Sequence, residues 1–292
     1  MTPFASKYFG VIMKKMIISL LMASSLFSQT FTFSAIPDQD ETKLQERFSK
    51  LAVYLSKELN IDAKFIPIKS YSASIAAFRN KQVQLAWFGG FSGVKARQIV
   101  PGAIAIAQGI QDREFCTYII ANVQTGLKSS DEFPKNIANR TFTFGSKGST
   151  SGRLMPEYFI REHMHKAPSK VFSKVGYSGN HTKTISLVQS GAYELGAVNY
   201  RVWDAALKSG KIDTSKVKII WKTPTFPDYQ FTVHGDLDAT YGAGFTQKLK
   251  MTLLNLKDKE ILKSFDRHGF IEAKNSDYDP ILSVGRKTGL ID

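Results

Sequence analysis

Cysteine is nearly absent: Cys116 stands alone among 292 residues. That excludes an internal disulfide and a zinc site built from thiolates. Set in the apolar run Phe115–Ile120, it reads as a small core residue. Acidic residues are also few, 25 against 39 lysines and arginines, and the formal charge is +14. A basic surface suits nucleic acid, an acidic membrane face or an anionic ligand. The lysines are scattered over polar helix faces rather than clustered with aromatics, which argues against nucleic acid. Long apolar runs are missing too, so no segment reads as a membrane helix. There is no internal repeat and no low-complexity stretch.

Several catalytic signatures are absent as well. Gly-Lys-Ser/Thr is not in the place a Walker phosphate loop requires. Gly148-Ser149-Thr150-Ser151-Gly152 has threonine where a nucleophile elbow needs its central serine. His163 and His165 are two apart, with no carboxylate cluster at metal-binding spacing. A hydrolase using Ser149 or Ser151 with His181 as base is the rival reading, and nothing else supports its machinery. The expectation is no catalytic residue, no metal and no cofactor.

What is present begins with Lys14 and Lys15, followed by the apolar run Met16–Phe27. That is the layout of a secretory signal peptide. Met13 reads as the start that a signal needs, and Ala23, Ser24, Ser25 and Ser28 offer small residues for cleavage before Gln29. No cysteine follows on which a lipid anchor could be built, so a free periplasmic protein is expected. Removing Lys7, Lys14 and Lys15 from the +14 total leaves +11 on the mature chain.

The remaining chain is long for one core and divides better into two. Short apolar runs alternate with amphipathic stretches, the pattern of an α/β protein. Strands are expected at 31–36, 63–68, 84–88 and 103–108, then at 115–122, 140–144, 171–176, 195–199, 218–223 and 229–233. Between them lie helices, the first with Leu44, Phe48, Leu51, Leu55 and Leu59 on one face. Others are expected at 72–78, 94–98, 152–163, 182–190 and 201–207, and the tail from Thr240 reads as helical. Residues 29–115 with 230–292 are expected as one lobe and 116–229 as the other. Each lobe would be a sheet flanked by helices, and two extended crossovers would join them as a hinge.

Phe144-Gly145-Ser146-Lys147-Gly148-Ser149-Thr150-Ser151-Gly152 lies between a strand and a helix. Glycines allow close backbone approach, and a helix start presents free N–H groups and a positive dipole end. Three successive hydroxyls add donors there, which makes an anion site. One such hydroxyl also serves as an ordinary helix cap. Tyr177-Ser178-Gly179-Asn180-His181 is a second strand-to-helix junction, where His181 has a ring N–H to offer. Tyr71 opens a helix and could donate its hydroxyl across a cleft. Trp87 and Phe88 end a strand before Gly89 and Gly90, as a ligand wall or as core. Glu194 precedes a strand and Asp228 lies at the expected hinge, each alone more often a solvated loop residue, while Asp38 and Asp40 after the first strand line a site or equally cap the next helix.

Taken in order, Ala35-Ile36-Pro37, Ser70-Tyr71, Ala86-Trp87-Phe88-Gly89, the Ser149-Thr150-Ser151-Gly152 loop, Ser178-Gly179-Asn180-His181 and Gly196-Ala197-Val198 resemble the periplasmic phosphonate-binding proteins of ABC transporters. The resemblance runs over about residues 31 to 275. It implies a two-lobed type 2 periplasmic binding fold and capture of a phosphonate or phosphite without chemistry. A permease and its ATPase would be the partners, with the binding protein a monomer. Ser149, Thr150 and Ser151 would hold the oxyanion with Tyr71 and His181, and Glu194 and Asp228 would face the substituent or a protonated oxygen. Phe88 stands where the family often has tyrosine, so one donor is lost. The segments 84–90 and 227–230 are similar to a subgroup named for selenate transport. Selenate, fully ionised near neutral pH, has no proton to share with a carboxylate, so ionised Glu194 and Asp228 favour phosphorus unless they point away or pair with Arg153 or Arg201. A sensor of the same anion would keep the same site.

Overall fold

The computed structural model describes residues 30–292, and the expected signal peptide lies outside them. Among the described residues eleven strands form two sheets. In the first, β1 (Phe31–Ala35), β2 (Ala63–Phe65), β3 (Leu85–Phe88) and β4 (Ile104–Gly109) are joined by β10 (Gln230–Val233) and β11 (Phe270–Glu272). The second holds β5 (Thr117–Asn122), β6 (Thr141–Phe144), β7 (Lys174–Tyr177), β8 (Leu195–Asn199) and β9 (Val217–Lys222). Their spatial orders are β11-β4-β10-β3-β1-β2 and β7-β6-β8-β5-β9. None of the helices among the described residues is long and apolar enough to cross a membrane.

Both sheets are mixed, and the reason is the return of the chain. β1 pairs in parallel with β2 and β3, as strand–helix–strand units require. β10 then inserts between β3 and β4, antiparallel to both. Against β1 and β2 lies the helix Glu41–Leu59, with Leu44, Phe48, Leu51, Leu55 and Leu59 buried as the periodicity predicts. Phe48 meets Phe33 of β1 and Phe265 of the tail edge-on, at 6.4 and 5.2 Å. Burying such a side chain contributes roughly 1.5–3 kcal/mol.

Some expected elements move. The strand expected at 171–176 begins only at Lys174, because Pro168 opens a helical turn, Pro168–Val171. Proline is preorganised for a first helical position. The tail is not all helical, since β11 pairs antiparallel with β4. Three residues carry too little alternation to reveal a strand. The helix expected over 94–98 already begins at Gly90, directly after β3.

The chain crosses between sheets twice, and the crossovers are bonded to each other. Phe115 and Phe226 exchange amide hydrogen bonds at 2.8 and 2.9 Å, and the Asp228 amide donates to the Asp112 carbonyl at 2.9 Å. Beneath them Arg267 of the tail holds the buried Asp112 carboxylate through two nitrogens, at 2.6 and 2.7 Å. The tail is thereby fastened to the hinge.

Candidate functional site

The hydroxyl-rich loop leaves β6 at Phe144 and doubles back at once. The Gly145 amide donates to the Gly152 carbonyl at 2.8 Å, and a Cβ on Gly145 would meet the Gly152 Cα at 3.3 Å. Ser149 takes the capping role, its Oγ accepting from the Gly152 amide at 2.9 Å. The helix then opens with a wide π turn, Thr150–Leu154, before the α-helix Met155–Met164. Such turns recur where a helix serves a ligand. Widening the first turn turns Thr150 and Ser151 inward, and both are buried.

The three hydroxyls do three different things. Ser149 caps the helix and meets the buried Tyr71 phenol. Thr150 reaches the other lobe, accepting from the Phe91 amide at 3.0 Å and donating to Asp228 Oδ1 at 2.6 Å. Ser151 Oγ is buried with no hydrogen-bond partner, although it approaches Asp228. Asp228 Oδ1 also accepts from the Gly90 amide at 2.9 Å. Burial pushes the Asp228 carboxyl up to about 7, against the pull of Thr150, Gly90 and Ser151, with Asp112 adding to the rise.

His181 opens the helix His181–Gln189 and lies against the loop, its Cε1 2.9 Å from where a Gly152 Cβ would stand. Its Nδ1 accepts from the Asn199 amide at 3.2 Å. The proton is therefore on Nε2, which is buried and without a partner. Burial pushes the imidazole down to about 4 despite the nearby Asp38 carboxylate, so at neutral pH it is an uncharged donor.

Sequence reasoning left one part of the site unread. The Tyr229 hydroxyl donates to Asp38 Oδ2 at 2.7 Å and accepts from Asn199 Nδ2 at 3.0 Å. Asp38 belongs to the first lobe and Asn199 to the second, so one phenol ties both. The His181 amide donates to the Asp38 carbonyl at 3.1 Å, a further tie across the cleft. Asp38 Oδ1 and Thr182 Oγ1, beside His181 in the chain, are also buried without partners. Asn199 ends a strand and Tyr229 ends a crossover, positions whose pairing only the tertiary fold reveals.

One expectation for the site is corrected. Glu194 does not reach the cleft. It precedes β8, whose other end, Asn199, is the cleft end. There it accepts from the Thr141 amide at 2.8 Å and from Arg140 at 3.0 Å. Burial pushes its carboxyl up, but the Thr141 amide and Arg140 outweigh that and leave it below the usual range. Nor does either carboxylate pair with Arg153 or Arg201. Arg153 pairs with Glu157 and lies over Phe144 at 4.6 Å, while Arg201 pairs with Asp266 at 2.6 Å. Glu194→Gln is accordingly expected to leave oxyanion affinity unchanged and to lower stability by at most ~1 kcal/mol, as for a partly exposed pair. Isothermal titration and thermal melting check both halves, and a selective loss of binding would return Glu194 to the site.

The aromatic pair at the end of β3 is core. Trp87 stacks on Tyr229 at 5.5 Å and packs on Phe231 at 4.6 Å, and Phe88 is fully buried, edge-on to Phe78 at 5.6 Å. Trp87 supports the site through Tyr229.

The structure thus brings Ser151 and Asp228 together, with His181 against the same loop at Gly152. Over residues 33–278 the chain matches the family described as ABC transporter, phosphonate, periplasmic substrate-binding protein. The chain belongs to that family. It is 40% identical over 297 residues to a protein of Prochlorococcus marinus (strain MIT 9301) described as the probable ABC transporter phosphite-binding protein PhnD1, covering 99% of each chain. The solved structure of PhnD1 with methylphosphonate superposes with a TM-score of 0.87 at 41% identity, over 90% of this chain and 100% of that one. A Pseudomonas aeruginosa phosphonate-transporter binding component shares the fold, with a TM-score of 0.77 at 19% identity, over 87% of this chain and 85% of that one. As in the rest of the family, the role is that of a substrate-binding component of a transporter.

Proposed function

We propose that the chain captures a small phosphorus oxyanion, phosphite or methylphosphonate, in the periplasm and delivers it to a permease and its ATPase. Residues 29–115 with 230–292 close on 116–229 around the anion, and the closed form is what the permease receives. The observation that carries this reading is the pairing of two unpartnered neutral donors, Ser151 Oγ and His181 Nε2, with a buried Asp228 carboxyl near pKa 7. A singly protonated phosphorus anion can take the donors and share a proton with Asp228. Sulfate and selenate bring no proton of their own, so their capture depends on Asp228 carrying one. The names of the Prochlorococcus relative and of its methylphosphonate complex point the same way.

Ester hydrolysis fits the site poorly. His181 Nδ1 is occupied by the Asn199 amide and Nε2 carries the proton, so His181 cannot serve as the base for Ser151. Binding without chemistry needs no such base.

The test is titration of the mature protein with phosphite, methylphosphonate, phosphate, sulfate and selenate. Phosphite or methylphosphonate is expected to bind best. Ser151→Ala, which removes a hydrogen bond to a charged ligand worth about 1.5–3 kcal/mol, should weaken it by about 10–150-fold without lowering the melting point. Tight selenate binding with none for phosphorus would keep the clamp and replace the ligand. Unchanged affinity in Ser151→Ala would move the site elsewhere.

A further inference from the structure

A partly open cavity of about 220 Å³ lies between the lobes beside the oxyanion cluster. Lys43, Arg47 and Asp266 border it from the first lobe, and Val202 and Ala205 border it from the second. Asp38, Asn199 and Tyr229 border it too. These last three also contact the oxyanion cluster: Asp38 and Asn199 through their bonds to His181, and Tyr229 as the neighbour of Asp228 in the chain. Tyr71, Ser149, Ser151, His181 and Asp228 are not part of the cavity lining. Asp38, Tyr229 and Asn199 are therefore a wall with the anion cluster on one side and unused space on the other.

We propose that Tyr229, bonded to Asp38 and Asn199, sets the size limit on the anion's substituent by closing the oxyanion site off from this cavity. The inference rests on the function proposed above and adds its substrate limit. The wall is firm for physical reasons. The Tyr229 hydroxyl is held by both lobes, and its ring is clamped between Trp87, stacked at 5.5 Å, and Phe115, edge-on at 5.4 Å. Swinging the ring aside would break two buried hydrogen bonds and unstack it. A hydrogen or a methyl group on phosphorus fits without moving the wall, and a chain of three carbons does not. The space behind is ample, since at about 30 Å³ per water-sized group it takes roughly seven. Its border is mixed, with cationic, acidic and apolar side chains, so chain length rather than one end group decides entry.

The experiment is calorimetric titration of the wild type, Tyr229→Ala and Asn199→Ser with methylphosphonate, propylphosphonate and 3-phosphonopropionate. Asn199→Ser keeps an oxygen to cap the helix that Asn199 now caps, so it serves if Tyr229→Ala fails to fold. The wild type is expected to bind methylphosphonate at least 100-fold more tightly than either longer ligand. In the variants that ratio should fall at least tenfold, through a gain for propylphosphonate or 3-phosphonopropionate. Variants that keep methylphosphonate binding but gain neither long ligand would overturn the wall alone. So would a wild type that binds the longer ligands as tightly as methylphosphonate. A wild type that binds no phosphorus anion would overturn the proposed function and, with it, this limit.

Discussion

Gly89→Ala is expected to weaken oxyanion capture by about 10–100-fold while the ligand-free protein keeps its fold. Gly89 sits at the end of β3 with φ −76°, a conformation alanine adopts freely, so no backbone strain is added. What a Cβ would meet is the bridge between the lobes. It would stand 2.9 Å from Asp228 Oδ1 and 3.1 Å from Thr150 Oγ1. Neither atom can yield cheaply, because Asp228 Oδ1 is already held by the Gly90 amide at 2.9 Å and by Thr150 at 2.6 Å. Overpacking a site of this kind costs about 1–3 kcal/mol. Thr150 travels with the second lobe, so the cost falls mainly on the closed form. Each 1.4 kcal/mol is tenfold in affinity. Calorimetry gives the loss, and small-angle scattering of the liganded protein should show a larger radius than the wild type's. Undiminished affinity would mean that the lobes close without the Thr150–Asp228–Gly90 contact.

That contact shows where reading the sequence stops. Serine and threonine between two glycines at a strand-to-helix junction announce an anion site by composition, and the loop is where that pattern puts it. The division of labour inside it is not announced. Ser149 is spent on the cap, Thr150 on the opposite lobe, and only Ser151 is left with a free hydroxyl. All three residues look alike to any local rule. His181 was legible as a helix-start donor, but its tautomer depends on the Asn199 amide, 18 residues away. Glu194 misleads because a carboxylate beside a strand looks the same at either end, and only the direction of β8 shows that its far end faces the cleft. The alternation of strands and helices made the α/β class readable. The antiparallel places of β10 and β11 depend on the chain returning from the second sheet, which periodicity does not encode.

Asp228→Asn is expected to remove most phosphite or methylphosphonate binding and to reduce its pH dependence to that of the ligand's own ionisation. In the folded protein burial raises this carboxyl to about 7, so the neutral form is the one the fold prefers. The sign follows from proton linkage. Asp228 contributes stability that is fully present below its unfolded pKa near 4, and that contribution is lost as pH rises through about 7. A bound anion beside it favours the neutral form further, so above pH 7 capture must take up a proton, supplied by solvent or carried by the ligand. Affinity should then be flat below about pH 7 and fall by up to tenfold per pH unit above it. His181, pushed down to about 4, stays neutral throughout that range and adds no slope of its own. Asparagine preserves an oxygen for the Thr150 hydroxyl and the Gly90 amide, so the bridge survives. It replaces the proton-sharing carboxyl oxygen with an N–H₂ donor. A protonated phosphorus anion loses about 1.5–3 kcal/mol of charge-assisted bonding, whereas a fully ionised anion gains a donor. Phosphite affinity should drop by about 10–150-fold and keep only the slope of the ligand's own ionisation, and sulfate or selenate should gain relative to it. Titrations from pH 6 to 9 on both proteins measure this, and a wild-type affinity that does not vary across that range would remove Asp228 from the recognition of the ligand's proton.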